Sequence, residues 1–154
     1  CLSYETEVLT LEYGFVPIGE IVNKQMVCTV FSLNDSGNVY TQPIGQWHDR
    51  GVQDLYEYCL DDGSTIRATK DHKFMTTQGE MVPIDEIFHQ GWELVQVSGI
   101  SKLVQQRTLP FIIVDRKLMV KIVSRRYLGK ADVYDIGVAK DHNFIIKNGL
   151  VASN

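Results

Sequence analysis

Short apolar runs that alternate with polar residues, separated by turn signals, are the feature that most constrains this 154-residue chain. No segment keeps a helical period of apolar residues for more than about two turns, whereas alternation at every second residue is typical of half-buried strands. The sequence therefore predicts an all-β fold. The predicted strands span residues 8–11, 27–31, 39–46, 55–60, 65–68, 81–82, 94–97, 120–127, 133–138 and 144–147.

Glycine and asparagine separate these runs at 34–37, 61–63, 78–79 and 148–149, where positive φ angles are tolerated. The Asp61-Asp62-Gly63 turn between two alternating runs predicts a β-hairpin. Two short helices are predicted, each with a proline in its first turn, at residues 17–21 and 83–87.

Two sequence echoes indicate an internal duplication. Both predicted helices read Pro-Ile-x-Glu-Ile, and Lys70-Asp71-His72-Lys73-Phe74 is echoed seventy residues later by Lys140-Asp141-His142-Asn143-Phe144. We expect a duplicated β unit, with its two Asp-His turns in pseudo-symmetric positions around one core.

Composition is that of an ordinary globular domain, with 44 % hydrophobic and 22 % charged residues, which disfavours disorder and coiled coils. The net charge of −4 conceals a division. Residues 1–100 hold 5 Lys/Arg against 15 Asp/Glu, and residues 101–154 hold 10 against 4. We expect two parts that attract each other: 1–97 and 119–154, joined by a linker at 98–118 with weak periodicity, within one domain 1–154 and without an endonuclease domain.

Three cysteines with no Cys-x-x-Cys pair argue against a disulfide framework and a structural zinc site. The chain has neither an apolar run of membrane-spanning length nor the basic-then-apolar order of a signal peptide. We therefore expect a soluble, unexported, cytoplasmic monomer without metal or cofactor. The acidic balance disfavours direct binding to nucleic acid or to a membrane.

Cys1 is the first candidate for chemistry, because a translated gene begins with Met and this chain does not. A thiol at this position could attack the carbonyl of its own upstream peptide bond, an N-to-S shift that turns an amide into a thioester. His72 could donate a proton to the leaving amine. Thr69 could offer its hydroxyl or backbone N–H to the oxyanion.

Asn154 is the second candidate. The side-chain nitrogen of an asparagine can attack its own main-chain carbonyl, close a succinimide and release whatever follows, and intramolecular attack gains greatly from held geometry. Asn148-Gly149 has a similar composition, but a tight turn is the better interpretation there. We expect the chain to be either the product of such an excision or a trimmed form of a precursor.

Five ordered blocks carry a resemblance to a known family. They are Cys1-Leu2-Ser3, Thr69-Lys70-Asp71-His72, Val133-Tyr134-Asp135-Ile136-Gly137, Asp141-His142-Asn143-Phe144 and Ala152-Ser153-Asn154. Together they resemble the blocks of an intein and, more narrowly, the split inteins of the cyanobacterial DNA polymerase III alpha subunit, here with both pieces joined. The resemblance covers the chain except for 98–118, and it implies a horseshoe-shaped all-β Hint fold with pseudo-two-fold symmetry.

The resemblance also implies autocatalytic protein splicing. The steps are an acyl shift at Cys1, attack on that thioester by a downstream residue, a cysteine in this subfamily, cyclisation of Asn154, and return to an amide. The residue matching Asp135 assists the middle step, and the one matching His142 assists the cyclisation. Where many inteins carry a penultimate histidine, this chain has Ser153. The implied partners are the flanking exteins of the host polymerase and, if the intein is split, the complementary piece.

Two alternatives use the same residues differently. An N-terminal nucleophile hydrolase would also expose Cys1, but it needs layered helices that this sequence does not predict. A non-catalytic β-rich interaction module would use the motifs as turns only. Asp71 is expected to orient a turn, and His48, in Trp47-His48-Asp49-Arg50, is either structural or close to the site.

Overall fold

The structure, a computed structural model, describes residues 1–97, 111–113 and 117–153. Its strands are β1 Leu2–Ser3, β2 Glu7–Thr10, β3 Gly14–Pro17, β4 Thr29–Leu33, β5 Asn38–Pro43, β6 Gln46–Leu60, β7 Thr65–Ala68, β8 Lys73–Met75, β9 Met81–Pro83, β10 Glu93–Val97, β11 Phe111–Ile113, β12 Lys117–Gly137, β13 Asn143–Ile145 and β14 Val151–Ser153. The helices are α1 Ile18–Asn23, α2 Ile84–Gln90 and a 3-10 turn at Lys147–Gly149. The all-β prediction is confirmed.

Four strands close into a circuit. β1 pairs with both β7 and β12, β7 pairs with β6, and β6 pairs with β12. Leu2 is the residue that joins the circuit, since it lies opposite Ala68 on one side and Tyr134 on the other. A second sheet has the order β11-β5-β4-β2-β3, and a third has the order β13-β14-β8-β9.

The antiparallel ribbon of β6 and β12 is the longest pairing in the described structure. The predicted strands 120–127 and 133–138 are parts of one continuous strand, because a bulge at Gly129 (φ +95°) bends the ribbon without ending it. The expected linker 98–118 lies mostly outside the described residues. Its described parts are strands, since β11 pairs with β5 and β12 already begins at Lys117.

Both predicted helices are present and short. Pro17 and Pro83 lie one residue before the helical turns, as N-caps with φ/ψ of −56°/134° and −53°/136°. They end strands β3 and β9 in extended backbone, so each proline closes a strand and starts a helix where its missing N–H costs nothing. No helix in the described part of the chain is long and apolar enough to cross a membrane.

A repeat of backbone hydrogen bonds shows the pseudo-two-fold symmetry, with a spacing of 66 residues. Ile18 N–H donates to Thr6 O at 2.8 Å, and Ile84 N–H donates to His72 O at 2.8 Å. Three more pairs of N–H to O hydrogen bonds repeat with the same spacing, the first residue of each being the donor. They are Thr6 to Ser3 with His72 to Thr69, Gly19 to Tyr4 with Asp85 to Lys70, and Met26 to Ile21 with Trp92 to Ile87. The duplication is therefore the one marked by the two Pro-Ile-x-Glu-Ile helices.

The second echo is not part of this symmetry, so the expected pseudo-symmetric pair of Asp-His turns is wrong. The counterpart of His72 under the 66-residue relation is Thr6. His142 differs from His72 in backbone and burial: Asp141 and His142 have φ of +55° and +49°, and His142 is exposed whereas His72 is buried. The shared tripeptide Lys-Asp-His has folded into two different turns.

Candidate active site

A cleft of about 330 Å³ opens where β1 begins. It brings together the first residue of the chain and Ser153, the neighbour of Asn154 in sequence. Its lining residues are the first residue of the chain and residues of β6, the β7–β8 turn, β8, β12 and β14: Cys1, Arg50, Asp71, His72, Lys73, Asp135 and Ser153. Both ends of the described chain therefore border one cavity.

The amino group of Cys1 has two partners in this cleft. It donates to Thr69 Oγ1 at 3.1 Å and lies 2.6 Å from His72 Nδ1. Burial lowers the pKa of this amine, and the negative charges of Asp135 and Asp71 oppose the shift. The nitrogen that would carry an upstream peptide bond is thus in hydrogen-bond contact with an imidazole.

Thr69 holds Cys1 in place. Its backbone N–H donates to the Cys1 carbonyl at 2.9 Å, and its hydroxyl donates to Asp71 at 2.6 Å. The hydroxyl contact, with burial acting against it, keeps the pKa of Asp71 below its usual value. In the free chain the backbone N–H serves Cys1 and the hydroxyl serves Asp71, and the role of Thr69 toward an upstream carbonyl stays a prediction.

His72 is buried, with 5 % of its surface exposed. Burial and, second, the charge of the Cys1 amine hold its pKa well below 6.5, while the backbone of Ser153 acts in the opposite direction. Its Nε2 atom makes no hydrogen bond of standard geometry with the described residues. The ring packs on Phe74, with centroids 5.1 Å apart. A neutral imidazole therefore lies between the first residue and the last strand.

Asp135 faces the same amine from β12. Burial raises the pKa of its carboxyl group, opposed by the Cys1 ammonium, by a hydrogen bond from Ile136 N–H at 3.0 Å, and by Arg50 and His48. Its position follows from the register, because Leu2, next to Cys1, lies opposite Tyr134, next to Asp135.

His142 is exposed and is not among the residues that line the cleft. The residue after it, Asn143, is opposite Ser153 in the β13–β14 pair, and its buried side chain bonds the N–H and C=O of Leu33. Asn154 itself lies outside the described residues. The structure thus brings together Cys1, Thr69, His72 and Asp135, and it places His142 on a neighbouring, firmly anchored turn.

Sequence reasoning missed Arg50, which lines the cleft. Its positive charge acts to lower the pKa of the Cys1 amine and that of Asp135. One signal could have indicated it, since Arg50 is one of only five Lys/Arg among the first 100 residues and stands next to a candidate histidine. Within the described residues no group of three or more His, Cys, Asp or Glu could hold a metal ion. The three cysteines are free thiols.

Comparison with known proteins locates the fold. No protein-family model and no curated protein sequence matches this chain. Among solved structures it is similar to a DnaB intein from Synechocystis sp. PCC 6803, with a TM-score of 0.73, 20 % identity and 99 % and 97 % of the two chains covered. It is also similar to the DnaX mini intein from Spirulina platensis (0.73, 22 %, 99 % and 98 %) and to the gp41-1 intein (0.70, 22 %, 99 % and 97 %). The fold is therefore the Hint fold of inteins, as the sequence predicts.

Proposed function

We propose that this chain is an intein, which excises itself from a longer polypeptide and ligates the segments on either side. The observation that carries the proposal is the position of the Cys1 nitrogen, 2.6 Å from His72 Nδ1 in a cleft also lined by Ser153. The similarity of the whole chain to solved inteins supports it. A shared cleft lets one set of residues serve reactions at both borders.

The first step is an N-to-S acyl shift. Cys1 Sγ attacks the carbonyl carbon of the preceding residue, the S–C bond forms, the C–N bond to Cys1 breaks, and the thiol proton is lost while the nitrogen gains one. His72 is the group in contact with that nitrogen. General acid catalysis by such a contact typically contributes about 10² to 10⁴ in rate.

The free chain holds His72 neutral, which is the state expected after its proton has passed to the Cys1 amine. Burial holds its pKa low, and the second contribution is the amine that exists only after the upstream bond is cut. In the uncut precursor that charge is absent, so the imidazole binds a proton more readily than in the free chain. Once the proton has passed to the amine, the new positive charge disfavours its return to the ring.

The remaining steps involve the other border. A nucleophile on the residue after Asn154, a cysteine in the resembled subfamily, takes the acyl group from Cys1 Sγ, with Asp135 assisting. Asn154 Nδ2 then attacks its own carbonyl carbon, the downstream peptide bond breaks, and a succinimide forms, with His142 assisting. The released thioester rearranges to an amide. The anchoring of Asn143 opposite Ser153 supports the role given to His142.

We further propose that the chain joins two complementary pieces, 1–97 and 119–154, of an intein whose host is a cyanobacterial DNA polymerase III alpha subunit in the reducing cytoplasm. Ion pairs between the two parts support this division: Arg125 to Asp85, Arg126 to Glu57 at 3.0 Å, and Lys147 to Glu7 at 3.8 Å. Separately expressed pieces should associate faster at low salt, because unlike charges steer encounter. Association independent of salt would contradict this.

A fusion with a reporter before Cys1 and a second reporter, beginning with Cys, after Asn154 tests the proposed function. We expect ligated reporters and a free 154-residue chain by electrophoresis and mass spectrometry. Cys1→Ala should block upstream cleavage, and Asn154→Ala should block downstream release. Inert fusions, or full splicing by either variant, would refute the proposal, whereas hydrolysis of small amides would favour an N-terminal nucleophile hydrolase.

A further inference from the structure

The pseudo-two-fold relation extends to the central ribbon. Leu2 lies opposite Tyr134, and its counterpart Ala68 lies opposite Tyr56, so Tyr134 on β12 corresponds to Tyr56 on β6. The next residue on each strand is a carboxylate: Asp135 on β12 and Glu57 on β6.

The cross-strand partners of these two carboxylates correspond as well. Within the ribbon, Asp135 lies opposite His48 and Glu57 lies opposite Arg126. Residues directly opposite in an antiparallel pair have their side chains on the same face, close enough to interact. His48 therefore occupies the position that Arg126 occupies in the other half.

In the counterpart half the carboxylate is held between two cations. Glu57 is 8 % exposed, and it accepts from Arg67 Nε at 3.0 Å and from Arg126 at 3.0 Å. Arg67 stands where Cys1 stands in the site, because 66 residues separate them. A buried carboxylate in this position of the fold is thus stabilised by one cation from the neighbouring strand and one from across the ribbon.

Asp135 has the same two neighbours in the free chain, the Cys1 ammonium and His48, with Arg50 as a third cation. Asp71 is the other acidic group that acts on the amine. If Cys1 carries an upstream peptide bond, its nitrogen is an uncharged amide. The cations that then remain to oppose the effect of burial on Asp135 are His48 and Arg50.

We propose that His48 is a positioning residue that holds Asp135 as a carboxylate opposite Cys1 before the upstream bond is cut. The inference rests on the proposed splicing function and names a further group that controls it. In the structure the Nε2 atom of His48 lies 3.1 Å from Gln46 Oε1, which orients the ring.

The test uses the two-reporter fusion with Asn154→Ala, which stops the reaction at the branched intermediate. The measurement is the rate at which the branched intermediate forms from the uncut precursor between pH 5 and 9, because the pH profile of this rate reports the ionisation of Asp135 while Cys1 still carries its upstream peptide bond. We expect His48→Gln to move the acid limb of the profile to higher pH and to lower the rate on that limb by up to about tenfold, because Asp135 loses a cation that favours its ionised form. His48→Arg should return the limb to its parent position or below.

Arg126→Gln is the matched control, because it removes the corresponding cation from the other half. It should leave the acid limb unchanged. In an Asp135→Asn background, His48→Gln should have no further effect on the rate, which a purely structural role would not produce. Equal profiles for parent and His48→Gln, or equal displacement by His48→Gln and His48→Arg, would overturn the proposal. If the parent fusion forms no branch at all, the splicing function fails instead.

Discussion

The two pseudo-symmetric halves of the molecule share one backbone framework but place different kinds of side chain on it. We call the residues Glu5, Glu57, Arg67 and Arg126 the counterpart cluster, because they occupy the positions of Asp71, Asp135, Cys1 and His48. In the counterpart cluster Arg67 pairs with Glu57 at 3.0 Å and with Glu5 at 2.9 Å. In the cleft at Cys1, burial raises the pKa of Asp135 and lowers that of His72.

The two clusters differ in how well their buried polar groups are paired. Ion pairs stabilise the counterpart cluster. In the cleft at Cys1, burial instead disfavours the charged forms of an imidazole and a carboxyl group. Perturbed groups of this kind are typical of functional sites. The symmetry allows each residue of the cleft to be tested against a matched residue that has the same backbone setting and no chemistry.

The largest expected effect is on the rate, at His72 against its counterpart Thr6. His72→Asn should slow upstream cleavage by about 10² or more, because it removes the group in contact with the Cys1 nitrogen. Thr6→Ala removes a hydroxyl that contacts Ser3 Oγ at 2.9 Å, and it should cost about 1 kcal/mol of unfolding free energy with little change in rate. Single-turnover cleavage with added thiol and urea denaturation measure the two quantities. Comparable loss of rate in both variants would contradict the comparison.

The next effect is on stability, at the two carboxylates. Glu57→Gln should lower the unfolding free energy by about 1–2 kcal/mol, a value reduced by the exposure of its arginine partners. Asp135→Asn should leave stability unchanged or higher, because burial already disfavours the charged form of Asp135, while branch formation slows. Urea denaturation of the free chain and the fusion assay check both. A destabilising Asp135→Asn would show that Asp135 is structural.

The last effect, which is confined to acidic pH, is on the pH dependence of stability. The pKa of His72 is lowered by folding, so below about pH 6.5 the unfolded chain takes up a proton that the folded chain does not. Stability should therefore fall on acidification from pH 6.5, with a slope of up to about 1.4 kcal/mol per pH unit from this group. His72→Gln should have a shallower slope between pH 6.5 and 5 in urea denaturation. An unchanged slope would mean that His72 remains protonated in the folded chain.

Much of this fold is readable from local patterns. The alternating runs around Val30, Val39 and Ile66 became strands because each buries one face, and both Pro-Ile-x-Glu-Ile segments became helices. β1, β3, β8, β11 and β14 were missed because segments of two to four residues carry too little of a period. The first half of β6 was missed because its polar residues are exposed or half-buried along the ribbon.

The site divides in the same way. Cys1, Thr69 and His72 lie in local motifs, and the structure brings them into contact. The part played by Arg50 and the pairing of His48 with Asp135 depend on a register between strands some ninety residues apart, which no local pattern encodes. The second Asp-His turn shows the converse, since two segments that share Lys-Asp-His took different backbones under different tertiary contacts.

The position of Leu2 bears on what the proposed cleavage would do to the fold. Leu2 pairs with both β7 and β12 and thereby closes the four-stranded circuit, one residue away from the bond proposed to break. This closure depends on the strand pairing of Leu2 with Ala68 and Tyr134, and not on the covalent chain that leads into Cys1. Severing the backbone at that border therefore leaves the ring of strands shut.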